Sequence, residues 1–467
     1  MNDALNEKYI LMTTAPVEKL VGKMAAPTMI IMLVSALYNM ADTYFVSSLG
    51  TSATAGVGIT FSLMNIIQAT GFFFGHGSGN FLSRALGARK MEDAEKMAST
   101  GFFTAFAAGL VIAALGTLFM TPLAYALGST DTILPYARDY LRYILLGAPF
   151  MVSSLMLNNL LRFQGSAFFG MIGMVSGAVL NIGLDPLLIF KFQMGVKGAA
   201  LATMLSQTVS FLLLLIVGCN GKGNVGIRLR NFTPSLFLYR EMVRGGLPSL
   251  LRQGLQSVAT ILLNHAAGAF GDHVIAAIAI VNRIFLMCNS AILGLGQGFQ
   301  PVCGFNYGAG RYDRVRRAFW FCWKTATAIL LVLAALCFAF APGIIGLFRK
   351  DDAEVIRVGA LALRFQALVL PLWAWIVLNN MMLQTMGKAI PASILAFSRQ
   401  GFFLIPLLFT LVPAAGVLGI QLCIPIADAC TFLLALPMGI WALKKVLRTP
   451  SGTETPAEEP AQSNTTS

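Results

Sequence analysis

Charge is what this chain has least of. Only 11% of its 467 residues are Asp, Glu, Lys or Arg, against 57% hydrophobic, and the mean hydropathy is +0.73. A soluble chain of this length could not bury so much apolar surface and keep a wettable exterior. The shortage excludes a soluble globular protein and implies an all-α integral membrane protein. Acid is scarcer than base, with Asp+Glu 20 against Lys+Arg 33 and a net charge of +13. In a soluble protein that excess would suggest nucleic acid. Here it falls in short gaps between long apolar runs, the positive-inside pattern, so no nucleic-acid partner is expected. Cysteine is also sparse. Cys219, Cys288, Cys303, Cys322, Cys337, Cys423 and Cys430 are odd in number, lie mostly inside apolar runs and never form C-x-x-C. They are expected to be reduced packing residues, without a metal site or a disulfide framework. No H-E-x-x-H, G-x-S-x-G or paired His/Asp cluster occurs, so an intramembrane enzyme has no support and no cofactor is expected. The N-terminus, polar to about Ala15, lacks the pattern of a removable signal peptide, and the first span is expected to direct insertion itself.

The apolar runs cover 24–47, 55–83, 98–120, 133–161, 167–190, 196–218, 246–270, 274–303, 318–341, 355–386, 391–413 and 416–443. Each is long enough to cross about 30 Å of hydrocarbon as a helix, the only single-segment form that satisfies its own backbone there. Twelve transmembrane helices put both termini on one side. The loops on that side hold most of the Lys and Arg, including Arg84, Arg89, Lys90, Lys96, Arg228, Arg230, Arg311, Arg314, Arg316 and Arg317. Both termini are therefore expected in the cytoplasm, with the protein multi-pass in the cell inner (plasma) membrane. Five divisions follow: an N-terminal segment 1–23, an N-lobe 24–218, a basic linker 219–245, a C-lobe 246–447, and a polar tail 448–467 expected to be disordered.

Sliding the chain by 221 residues sets its special positions on one another. Pro27 meets Pro248, Gly50 meets Gly271, Gly75 and Gly77 meet Gly296 and Gly298, and Asn158-Asn159 meets Asn379-Asn380. Gly195-Val196 likewise meets Gly416-Val417. Because each half has an even number of spans, the repeat is parallel, the plan of transporters with two lobes around a cleft. Gly and Pro are shared because close crossings and bends define a lobe.

Polar residues that one half has and the other lacks are the candidate working parts. Of 20 acidic residues, only Asp42, Asp185 and Asp428 lie well inside apolar runs. A carboxylate there is costly unless protonated, paired or wet, so it marks an ion or substrate path. The counterpart of Asp42 is Leu263, and that of Asp185 falls at Ile405 or Pro406. Depth counting sets Asp42 (span 1) and Asp185 (span 5) each about five residues from the external end, and Thr203 (span 6) about seven. Tyr38 precedes Asp42 and Asn181 precedes Asp185 by one helical turn, on the same face. Two such carboxylates with amide and hydroxyl neighbours suit a proton that binds and leaves, and the same oxygens suit a sodium ion. A network that only locked spans 1, 5 and 6 together would seldom need two acids. Pro27 and Pro186 remove backbone donors near this group and are candidate hinges.

These residues resemble a family, the multidrug and toxic compound extrusion (MATE) transporters. The resemblance is carried by PTMIIMLVSALYNMADTYFVSSLGTSATAGVG from Pro27, GHGSGNFLSRALGARKMEDA from Gly75, LNN at 157–159 and NIGLDP at 181–186. A second-half echo, GLGQGFQPVCGFNYGAGRYDRVRRA, starts at Gly294. It implies a V-shaped antiporter that exports cationic or amphipathic compounds in exchange for H+ or Na+ by alternating access. The chain is most similar to the DinF-like branch, whose cation site corresponds to Asp42, Asn158, Asn181, Asp185 and Thr203, with Tyr38 nearby. Depth counting puts Asn158 nearer the cytoplasmic end than the rest. A second branch, similar to the NorM transporters, carries acids in spans 7 and 10. Here Gln256 stands in place of the span-7 Glu, and 358–386 hold no acid.

The second lobe retains Asp428, expected to pair with an intramembrane arginine such as Arg252, Arg283 or Arg364. His76, His265 and His273 are expected in packing or helix-end roles. Some of the 22 Met and 34 Phe should line a cleft tolerant of varied shapes. The Arg/Lys clusters at 84–96 and 311–317 are expected to anchor topology. The implied partners are small amphipathic or cationic substrates and membrane lipids, with the protein a monomer. A flippase of lipid-linked precursors is the alternative transport function, and it would require a strongly cationic central cavity.

Overall fold

A computed structural model describes residues 3–219, 225–348 and 352–447. The expected tail 448–467 and the middle of the expected linker lie outside the described residues. The described chain is almost wholly helical: α1 (Asp3–Thr14), α2 (Val17–Ser47), α3 (Thr51–Gly87), α4 (Met91–Leu118), α5 (Met120–Ala126), α6 (Leu134–Phe163), α7 (Ala167–Pro186) and α8 (Val196–Cys219) make the first half. The second comprises α9 (Leu236–Gly268), α10 (Asp272–Gly308), α11 (Tyr312–Ala339), α12 (Ala341–Phe348), α13 (Ala353–Val369), α14 (Leu372–Thr385), α15 (Ala389–Phe397) and α16 (Ile405–Trp441). Among the described residues, nine stretches are long and apolar enough to cross a membrane, and α13 with α14, bent by 55°, makes a tenth. One of the nine, Ala389–Val446, holds two spans, because Gly416 at φ 58° reverses the chain inside it. The twelfth is α9, whose Arg240, Arg244 and Arg252 lower its hydropathy and which begins at Leu236, inside the stretch expected to be linker.

The duplication holds to the residue. α3 and α10 begin and end 221 positions apart, as do α4 and α11. Gly50 and Gly271 each cap a helix at φ 105°, and Gly195 and Gly416 share φ 56° and 58°. Only residues without a Cβ take these values at little cost, so the turns are conserved between the halves as glycine. The lobes form a V whose arms meet at the end that carries α1. Contact runs from the middle of α3 and α10 to their C-termini. There a Cβ on Gly87 would lie 2.1 Å from the Phe305 carbonyl oxygen, and one on Gly308 2.1 Å from that of Arg84. Across the same seam Arg84 pairs with Glu241 at 2.9 Å and donates to the Thr385 carbonyl at 2.7 Å. Arg317 pairs with Glu18 at 2.8 Å. The clusters expected only to anchor topology therefore also clasp the lobes.

α1 runs across this closed end. Lys8 donates to Ser166 Oγ of the first lobe at 2.5 Å, while Asn306 of the second donates to the Met12 carbonyl at 3.1 Å. Pro16 separates α1 from α2, since it offers no N–H and disfavours a helical residue before it.

Candidate functional site in the first lobe

Close helix packing brings the expected polar residues together. A Cβ on Gly177 would stand 2.9 Å from Ser210 Cβ and 3.0 Å from the Ser206 carbonyl, so α7 and α8 cross at a distance only glycine permits. One turn further on, Asn181 and Asp185 of α7 face Thr203 of α8. With the amide oriented to satisfy both ends, Asn181 donates to Asp185 Oδ2 at 3.0 Å and accepts from the Thr203 N–H at 3.3 Å. α7 ends at Pro186, and the missing donor lets the next turn widen into a π-turn over Leu187–Lys191.

From α2, Asp42 and Tyr38 complete the group. Asp42 is 2% exposed and Asp185 0%, so neither carboxylate faces lipid. Asp42 Oδ1 has no hydrogen-bond partner. Tyr38 lines one cavity with Thr203 and lies within electrostatic range of both aspartates. A cavity of about 180 Å³ opens beside them, with Tyr38, Asn158, Asn181, Thr203 and Gln207 on its wall. Asn158, placed deeper by counting, therefore shares this cavity. Met151, Met174 and Phe72 supply apolar wall, the soft lining expected of a cleft.

Sequence reasoning missed Tyr140. It is fully buried in α6, its hydroxyl 3.8 Å from Met64 Sδ, and Thr203 and both carboxylates lie within its electrostatic range. A tyrosine in an apolar span was the only available signal, and a phenol there, unlike the Asn158 amide of the same span, carries little burial cost. It also missed Arg162, assigned to a loop. Arg162 is 1% exposed at the end of α6, donating to Asn159 Oδ1 at 2.6 Å and to Gln300 Oε1 of the other lobe at 3.4 Å. His76 packs against Phe72 and meets Ser249 of the second lobe at 3.0 Å.

In the second lobe the expected partner of Asp428 is corrected. It pairs with Arg399, Nε to Oδ1 at 2.5 Å, and accepts from Gln366 at 3.0 Å, rather than pairing with Arg252, Arg283 or Arg364. Arg399 and Asp428 lie on the antiparallel arms either side of Gly416, which brings them to one depth. Arg364 instead donates to the Phe338 carbonyl at 3.4 Å. Gln256 and Arg283 face a second cavity of about 350 Å³.

A sequence profile of the MatE family matches residues 27–187 and again 248–410, one copy per lobe. The multidrug export protein MepA of Staphylococcus aureus is 28% identical over 434 residues, 92% of this chain and 95% of its own. A crystal structure of MATE in the straight conformation superposes with a TM-score of 0.88 at 29% identity, covering 94% of this chain and 98% of that one. One in the bent conformation gives 0.87 at 29%, covering 96% and 99%. With twelve helices in two matching lobes, the chain belongs to the MatE family of multidrug efflux transporters and is a transporter, not an enzyme.

Proposed function

We propose that the protein is a secondary active antiporter that exports amphipathic or cationic small molecules in exchange for H+ or Na+ bound at Asp42 and Asp185. The observation that carries this is the asymmetry of two otherwise matching lobes. The first buries two aspartates with Asn181, Thr203 and Tyr38 around them, while the matching positions of the second are Leu263 and Ile405 or Pro406. An orphaned, buried carboxylate oxygen on Asp42 is what a proton or a cation would satisfy.

In this scheme the cation enters the outer half of the first lobe, neutralises the pair and changes how α2 packs around Pro27. Affinity for the exported compound then falls, and return to the form open to the cytoplasm releases the cation. Binding shifts the lobe equilibrium only by its differential affinity, so a tenfold shift needs about 1.4 kcal/mol. Asn158 and Gln207 would meet the polar part of a compound in the first-lobe cavity. The reading includes both termini in the cytoplasm, the DinF-like branch, a monomer, and lobes divided at the linker 219–245.

The test is dye efflux from proteoliposomes under separately imposed proton and sodium gradients. Asp42→Asn and Asp185→Asn should abolish gradient-driven efflux while the variants elute and melt like the parent. Efflux at the parental rate in either variant would remove the proposal.

A further inference from the structure

The second-lobe cavity carries the opposite charge to the first-lobe site. Arg252 from α9, Arg283 from α10 and Arg399 from the π-turn after α15 line it, with no Asp or Glu on its wall. Arg399 is answered by Asp428. Arg252 and Arg283 have neither an ion pair nor a hydrogen bond among the described residues. Arg252 is half-buried and Arg283 exposed, and the two cations line one cavity that has no acid on its wall, an arrangement that attracts an anion from outside the chain. Trp373 lines the same wall, its ring 4.2 Å from the Arg399 guanidinium. Leu263, Leu293, Ile376 and Leu395 supply the apolar remainder.

We propose that this cavity is an anion-binding subsite for an amphipath bearing a carboxylate or phosphate. Arg252 and Arg283 hold the acid group, and the leucine-rich wall with the Trp373 ring takes the apolar part. Two guanidiniums can serve either acid, because each oxygen of a carboxylate or phosphate accepts more than one hydrogen bond and both cations offset its charge. The site is separate from Asp42 and Asp185, and its test uses equilibrium binding without a gradient, so failure of the coupling scheme leaves it untouched.

The purified full-length protein in dodecyl maltoside is titrated with 11-(dansylamino)undecanoic acid and, separately, with dansylcadaverine, following dansyl emission. Arg252→Gln and Arg283→Gln should each weaken the acid probe about tenfold, as loss of a charged hydrogen bond does, and leave the cationic probe unchanged. Arg252→Lys should restore most of the binding. Arg283 is exposed, so its variant should fold and decides the matter even if Arg252→Gln does not. Arg364→Gln removes an equal charge away from the cavity and should bind like the parent. Two arms identify the source of the acid. Displacement of the probe by hexyl phosphate or inorganic phosphate assigns the subsite to soluble anions, and weakening when phosphatidylglycerol replaces phosphatidylcholine in nanodiscs assigns it to a lipid headgroup. Either outcome supports the subsite. Equal binding of both probes, an unchanged Kd in the Arg252 and Arg283 variants, or an equal loss in Arg364→Gln would overturn it.

Discussion

The glycine crossing between α3 and α10 sets how firmly the lobes stay shut at the α1 end, and it can be opened by a single methyl group. A Cβ on Gly87 would lie 2.1 Å from the Phe305 carbonyl oxygen, and one on Gly308 equally close to that of Arg84. The nearest comfortable carbon–oxygen approach is about 3.3 Å, so each methyl would push the lobes apart by about 1 Å. The obstructing atoms are backbone and cannot swing away. Overpacking of this kind costs about 1–3 kcal/mol, and because the clash exists only in the state with this end closed, the population should move by roughly 5- to 150-fold toward the state open there. Spin labels at Lys90 and Arg311, exposed equivalents on the two lobes, report the separation by pulsed electron resonance in a cysteine-depleted background. Gly87→Ala and Gly308→Ala should each add a longer distance component, and together a larger one. A single distance unchanged in the double variant would refute the claim that this crossing holds the closed state.

The clasp beside it should respond in the same assay. Glu241→Gln removes the charge that answers both Arg84 and Arg244, at 2.9 Å and 3.1 Å, and leaves one acceptor oxygen for the two. At about 1–2 kcal/mol for a partly buried charged hydrogen bond, it should lengthen the Lys90–Arg311 distance. Arg84→Gln added to it should cost much less than the sum of the two, and full additivity would deny the pair. The strap α1 should give a pH signature. Burial, reinforced by nearby Lys23, pushes the Lys8 ammonium down from 10.5 to about 8. The unfolded chain therefore holds a proton on Lys8 between pH 8 and 10.5 that the folded chain has released, so stability rises with pH across that window. Lys8→Met should flatten the rise in Tm between pH 7.5 and 10, and an identical slope in both proteins would show that Lys8 does not contribute.

What the sequence disclosed, and what it hid, divide along a physical line. Whatever the backbone needs recurs at one spacing. Gly50 and Gly271 are legible because a helix cap at φ 105° tolerates little else, and a shift that matches one such residue matches them all. The acids were legible for a different reason, because a carboxylate in an apolar run has no cheap explanation. Arg399 and Arg162 carried the same penalty and were passed over. Arg162, at the end of a span, resembles a topology anchor, and the partner of Arg399 lies 29 residues on across the Gly416 reversal, so only that reversal and the seam between the lobes reveal where these two point. Tyr140 illustrates the remaining gap, since a phenol is at ease in an apolar helix and becomes informative only when Thr203 is seen beside it.

The same division bears on how two like lobes come to do different work. A duplicated scaffold fixes crossings and bends in pairs, so any change at a glycine or proline of one lobe leaves it mismatched with the other. Side chains that face a lobe's interior are under no such constraint. Each cavity can therefore take its own charge, two aspartates beside the first and three arginines on the wall of the second, without altering the hinge between them. Because α2 packs on both α7 and α10, an ion acting as proposed on α2 and α7 would also shift the seam with α10, and with it the arginines on the far side. Coupling through that seam needs no contact between the two ligands, only two packings of the lobes that each ligand favours differently.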